Sequence, residues 1–172
     1  MKGFNEFRTY ALVTGAASGM GRIYSLQLAQ KGYNIIMVDI NAAGLQETES
    51  IVREAIEASA EISREHKDAF RMLSIAQDLS VAEAADKIHA VTEAAGCVVE
   101  VLVNNAGVMY CQGIAETSER MLNIIMMVHM YTPLMLCRKY VGPMKERGLG
   151  YILNISSLAA WMNWPGIGMY GS

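Results

Sequence analysis

The feature that most constrains the fold is a short apolar run that stops on a glycine-rich turn. Tyr10-Ala11-Leu12-Val13-Thr14 leads directly into Gly15-Ala16-Ala17-Ser18-Gly19-Met20-Gly21. A short apolar run bounded by glycine reads as a buried strand. The residues from Gly19 to Lys31 carry Ile23, Leu26 and Leu28 among helix formers and meet a glycine stop at Gly32, so they read as a helix. Glycines at 15, 19 and 21 suit a turn in which no Cβ obstructs a ligand. The helix behind it aims free N–H groups and the positive end of its dipole at an anion. Taken alone, the turn is equally a tight strand-to-helix connection.

The alternation continues along the chain. Residues 34–40 form a second buried strand, 42–67 a long helix rich in Glu and Ala, and 70–76 a third strand. Ser80 caps a further helix running to about Ala95, and residues 98–103 form a fourth strand ending in Asn104-Asn105-Ala106-Gly107. Residues 118–147 make a long apolar helix, bent where Pro133 removes a backbone donor. Residues 151–156 are a fifth strand. Strands apolar on both faces and separated by helices pair in parallel through right-handed crossovers. The expected architecture is α/β: a doubly wound, mostly parallel, Rossmann-like sheet in a three-layer αβα domain over residues 1–172.

Composition narrows the class. The chain is 52% hydrophobic with a net charge of only −3, whereas disorder needs low hydrophobicity and high net charge. Lys+Arg 14 against Asp+Glu 17 leaves no basic surplus, so neither nucleic acid nor an anionic membrane is an expected partner. Cys97, Cys111 and Cys137 show no C-x-x-C spacing, which points to no disulfide framework and no zinc site, and fits a reducing, cytoplasmic setting. The N-terminus lacks the apolar run of a signal peptide. The most apolar stretch, residues 121–137, is interrupted by Asn123, His129, Thr132 and Pro133. It falls short of the roughly 20 apolar residues of a membrane span, so a buried helix is expected.

Asp39 ends the second strand, 18 residues past Gly21. A carboxylate there accepts hydrogen bonds from adenosine ribose hydroxyls and repels a 2′-phosphate. Ile40, Asn41 and Ser18 bring no cation to offset it. The pattern points to NAD rather than NADP; the plainer alternative is a solvated strand-end acid capping the next helix. Together, Thr14-Gly15-x-x-x-Gly19-x-Gly21, Asp78-Leu79 and Asn104-Asn105-Ala106-Gly107 resemble the successive motifs of the short-chain dehydrogenase/reductase family, in order and over essentially the whole chain. The resemblance implies a cofactor site of Thr14, Gly15, Ser18, Gly19, Met20, Gly21, Asp39, Ile40, Asp78, Leu79, Asn105, Ala106 and Gly107. It places Asp78 on the adenine and the Asn-Asn-Ala-Gly segment beside the cofactor. Read bare, Asp78 is a strand-end residue and the two asparagines are turn formers.

Ser157, and Tyr170 thirteen positions later, match that family's catalytic pair. Reducing a carbonyl takes a hydride and a proton. A tyrosine hydroxyl delivers the proton, or takes it in reverse, when nearby positive charge lowers its pKa from about 10. A serine hydroxyl holds the substrate oxygen. The resemblance therefore implies NAD-dependent interconversion of a secondary alcohol and a ketone. Trp161, Trp164 and Pro165 lie between the pair, either as an apolar wall toward a hydrophobic substrate or as loop anchors packed on the sheet.

Two departures from the family stand out. Its catalytic asparagine, four residues before a Pro-like position in the long helix, is replaced by His129. That imidazole either hydrogen-bonds a relay water or sits in the core; Asn123 lies roughly 240° around the helix from it. The family's lysine, four residues past the tyrosine, would fall at position 174, beyond Ser172, and neither Arg138 nor Lys139 is tied to Tyr170. The expectation is the amino-terminal portion of a longer family member, lacking its C-terminal strands, with the fifth strand an exposed edge. A homo-oligomer is expected of the complete form, and the methionines at 121, 126, 127, 130 and 135 suit its interface or fill the core. The competing expectation is a chain that holds NAD without turning over.

Overall fold

The computed structural model describes residues 4–161, Gly166 and Tyr170. Five strands form one parallel sheet: β1 (Tyr10–Thr14), β2 (Asn34–Asp39), β3 (Met72–Ala76), β4 (Val99–Asn104) and β5 (Tyr151–Asn154). Their order is β3-β2-β1-β4-β5, so β1 is central, with Tyr10 beside Asn34 and Thr14 beside Val38. After β3 the chain returns to the far side of β1, and the strand order reverses between β1 and β4. In a doubly wound sheet the crevice outside the carboxyl ends at that point is where ligands bind. Gly15 leaves β1 and Asn105 leaves β4 there.

Helices α1 (Gly19–Gln30) and α2 (Ala42–Ala58) cover one face; α4 (Ala84–Ala94) and α6 (Thr132–Glu146) cover the other. Alternation along the strands builds both layers. Ala11, Val13, Ile35 and Met37 pack with Leu45, Val52 and Ile56, while Leu12, Ile36, Val38 and Leu102 pack with Ile88, Leu136, Tyr140 and Met144. Only the edges depart from this pattern. Tyr151, Ile152 and Leu153 of β5 are 37–44% exposed, the uncovered edge that the sequence predicts.

Several boundaries differ from expectation for identifiable reasons. The helix expected over 42–67 is two helices, because Ser59 turns extended and Ser63 starts α3 (Arg64–Ala69) by accepting from His66 N at 3.3 Å. Ser80 is not the helix cap. Its Oγ donates to Asp78 Oδ1 at 2.7 Å, and α4 begins four residues later, behind Glu83. Strand β3 begins at Met72 and β5 ends at Asn154, both shorter than expected.

The long helix is capped by Ser118, which accepts from Met121 N at 3.3 Å. It runs as α5 (Glu119–Met126), widens into a π turn (Met127–Tyr131) and continues as α6. The π turn stands just before Pro133, which has no N–H to return to the turn below. The expected buried helix is buried on one stripe only: Ile125, Val128, Leu136, Tyr140 and Met144 face inward, whereas Met126, Met130 and Leu134 are exposed. Met121, Met127 and Met135 are half-buried, and Met135 packs against the core beside Leu136. By length and composition the 28 residues Glu119–Glu146 are apolar enough to cross a membrane; here their inward stripe packs on the sheet as a core helix does.

Candidate active site

The glycine turn and the end of β4 interlock. Gly15 sits at φ +69°, and a Cβ on it would lie 2.9 Å from Ala106 Cα. A Cβ on Gly21 would lie 2.6 Å from the Gly15 carbonyl carbon and 2.8 Å from Asn105 Nδ2. Thr14 Oγ1 accepts from Asn105 N and Ala106 N, both at 3.0 Å, and Asn105 Nδ2 donates to Thr14 O at 3.0 Å. Thr14 and Asn105 thus fasten two strand ends together, and Asn105 Oδ1 stays buried beside the turn without a partner among the described residues. Ser18 stands at the N-cap of α1, yet its side chain makes no capping bond. The positive end of α1 is therefore left for another acceptor. Gly19 (φ +51°) has open space where a Cβ would go, and Met20 is exposed.

Asp39 stands at the rim of the crevice. Its Oδ2 accepts from Ala17 N at 3.1 Å and its Oδ1 from Asn41 N at 2.9 Å. Capping of α2 falls to Asn41, whose Oδ1 accepts from Gly44 N at 3.0 Å, so the helix-cap reading of Asp39 does not hold. A cleft of about 760 Å³ opens over the strand ends, a size usual for small-molecule and cofactor sites. Of the expected cofactor residues, Gly15, Asp39, Ile40, Asp78, Leu79, Ala106 and Gly107 line it. Asp78 Oδ1 is taken by Ser80 N and Oγ, which leaves Oδ2 without a partner among the described residues. Gln77, Ser80, Arg120 and Asn123 also line the cleft, a place that the sequence reading gave to none of them, because only the fold brings the start of α5 to the residues that follow β3.

At the other end, the π turn carries His129 to the backbone that follows Gly107. His129 Nε2 lies 3.0 Å from both Val108 N and Val108 O. A Cβ on Gly107 would meet His129 Cε1 at 3.0 Å, so that glycine makes room for the imidazole. The ring also stands edge-to-face with Tyr170, with centroids 5.5 Å apart. Tyr170 and His129 are thereby brought together. Ser157 Oγ instead accepts from Ala159 N at 3.1 Å, capping the 3-10 turn Leu158–Trp161, and makes no hydrogen bond to Tyr170 or His129 among the described residues. Trp161 is 89% exposed and anchors nothing on the sheet, while Trp164 and Pro165 lie outside the described residues. Asn104 Nδ2 donates to Asn154 Oδ1 at 2.8 Å and to Cys137 Sγ at 3.4 Å, joining β4, β5 and α6 beneath the site.

Comparison with known proteins gives the same outline. The family described as short chain dehydrogenase matches residues 9–172. An uncharacterised oxidoreductase of Thermotoga maritima is 30% identical over 154 residues, covering 90% of this chain and 55% of that protein. Among solved structures, a metagenomic short-chain oxidoreductase in complex with NADP superposes with a TM-score of 0.79 at 27% identity, covering 95% of this chain and 68% of that one. NAD+-bound xylitol dehydrogenase superposes with a TM-score of 0.78 at 24% identity, covering 99% and 60%. The chain spans about half the length of the curated relatives it matches.

Proposed function

The chain belongs to the short-chain dehydrogenase family, and from that premise we propose that it supplies the dinucleotide site and the proton-transfer group of an NAD-dependent oxidoreductase acting between a secondary alcohol and a ketone. The observation that carries the reading is Asp39 at the cleft rim, oriented by Ala17 N and Asn41 N. The cation behind the turn, Arg22, is already paired with Glu47. Such a carboxylate suits ribose hydroxyls and opposes a 2′-phosphate.

The residues present fit the dinucleotide: a cradle at Gly15 and Gly21 that a Cβ would fill, the unclaimed end of α1, and a cleft of matching size. Gly15 and the first turn of α1 would hold the pyrophosphate, Asp39 the ribose, and Ile40, Asp78 and Leu79 the adenine. Bound there, the dinucleotide supplies or accepts the hydride. Tyr170 gives its hydroxyl proton to the ketone oxygen, or takes one from the alcohol, and Ser157 Oγ holds that oxygen by a hydrogen bond. His129, anchored on Val108 through Nε2, steadies the Tyr170 ring and keeps Nδ1 for a relay water. Leu158 and Trp161, uncovered in the turn after Ser157, support an apolar substrate. The exposed Met126, Met130 and Leu134 support self-association, and three cysteines without C-x-x-C spacing suit a cytoplasmic setting.

The test is NADH consumption with an apolar aryl ketone, by the chain and by its Tyr170→Phe variant. Turnover that falls about a hundredfold or more in the variant is expected; turnover unchanged by the substitution contradicts the assignment. A second reading, NADH held without turnover, is favoured by one observation. Among the described residues, the Tyr170 ring meets the His129 imidazole and makes no hydrogen bond with a lysine or arginine. NADH binding without consumption of any ketone selects this second reading.

A further inference from the structure

We propose that Arg22 is a positioning residue: acting through Thr48 and the Ala16–Ala17 peptide, it sets the carboxylate of Asp39 and so sharpens the preference for NADH over NADPH. The inference rests on the dinucleotide reading above and assigns a part to a side chain that does not line the cleft.

Arg22 follows the last glycine of the turn and points away from the cleft, into the seam between α1 and α2, with its side chain 25% exposed. Its Nε donates to Thr48 Oγ1 at 3.0 Å. Thr48, fully buried, donates the same oxygen's proton to Ala16 O at 2.9 Å. The peptide that carries Ala16 O carries Ala17 N at its other end, and Ala17 N donates to Asp39 Oδ2 at 3.1 Å. A continuous relay of hydrogen bonds thus runs from guanidinium to hydroxyl to peptide to carboxylate, each bond polarising the next.

The neighbouring peptide is held from the same side, because Arg22 Nη2 donates to Ala17 O at 2.8 Å. The guanidinium itself cannot swing. Nη1 and Nη2 form a two-pronged pair with Glu47 Oε1 and Oε2 at 3.0 and 2.8 Å, and Arg22 holds the Glu47 carboxyl below the usual carboxylate range. No slack remains on the α2 side, where a Cβ on Gly44 would lie 2.8 Å from Ala17 Cβ. A lysine keeps the charge but has no planar fork with which to reach Thr48, Ala17 and Glu47 together.

The experiment is a fluorescence titration with NADH and with NADPH of the wild-type chain, Arg22→Lys, Asp39→Asn and the double variant, each checked for a cooperative thermal transition. Arg22→Lys is expected to weaken NADH about tenfold, the worth of one bond to a charged group, and to narrow the gap to NADPH. In the Asp39→Asn background the same change is expected to cost less than about threefold, since its target is already lost. Thr48→Val should follow Arg22→Lys, and Thr48→Ser should restore the wild-type ratio; this pair carries the comparison should Arg22→Lys not fold. A merely structural role weakens both dinucleotides alike and costs the same in either background, and that result, or an unchanged NADH affinity, overturns the proposal. A folded wild-type chain that binds neither dinucleotide overturns the dinucleotide reading and this inference with it. Wild-type binding that Arg22 does not influence overturns the inference alone.

Discussion

Replacing Gly21 by alanine asks whether the turn after β1 is a ligand cradle or only a tight connection. The added methyl would lie 2.6 Å from the Gly15 carbonyl carbon, nearer still to its oxygen, and 2.8 Å from Asn105 Nδ2. Ordinary carbon contacts are about 3.5–4.0 Å, so the turn and α1 must part by about 1 Å. The obstruction is backbone and cannot rotate away. Overpacking of this kind costs about 1–3 kcal/mol of stability. The same displacement draws the Gly15 peptide and the first turn of α1 away from a bound pyrophosphate. Each charge-assisted hydrogen bond lost there is worth about 1.5–3 kcal/mol, or about ten- to a hundredfold in NADH affinity. Thermal unfolding reads the first effect and fluorescence titration the second. Gly142→Ala is the control: a Cβ there meets nothing within 4 Å, and the change should stabilise α6 by up to about 1 kcal/mol while leaving NADH binding alone. A Gly21→Ala chain that unfolds and binds NADH as the wild type does would refute the cradle geometry.

Two further predictions concern the layer beneath the site. Leu136 is 0% exposed where α6 meets β4, so Leu136→Ala should cost about 2–5 kcal/mol in urea unfolding, and a cost below 1 kcal/mol would contradict the assigned packing. Burial pushes the Tyr140 hydroxyl up from 10 to about 12, against the opposing pull of its hydrogen bond with Thr92 at 2.9 Å. With the folded value raised, this contribution is whole below pH 10 and is lost as pH rises through about 12. Tyr140→Phe should lose about 1 kcal/mol at neutral pH and show a flatter fall in stability over that alkaline range; an unchanged slope contradicts the burial argument.

Much of the fold can be read from local pattern. The strand, glycine turn and helix at residues 10–31 are neighbours in sequence, and Asp39 follows at a distance that the next strand dictates. Asp39, Asp78 and Ala106 are strand-end residues, and parallel topology brings all strand ends to one side, so their meeting at one cleft follows from the alternation alone. Long-range features escape such reading. Arg22 looks like a solvated helix charge until α2 lies against α1, because its partners Glu47 and Thr48 are 25 and 26 residues away. The π turn leaves only Pro133 as its trace, yet it decides that His129 reaches Val108. The break after Ala58 had two serines as its sign, and the Glu- and Ala-rich composition around them masked it.

The most direct measurement is a fluorescence titration of the 172-residue chain with NADH, with NADPH as the comparison. Saturable NADH binding is predicted, with NADPH at least about tenfold weaker because its 2′-phosphate meets the Asp39 carboxylate at close range. NADPH binding as tight as NADH, or no binding of either by a chain that unfolds cooperatively, would contradict the assignment of Asp39 and the cleft.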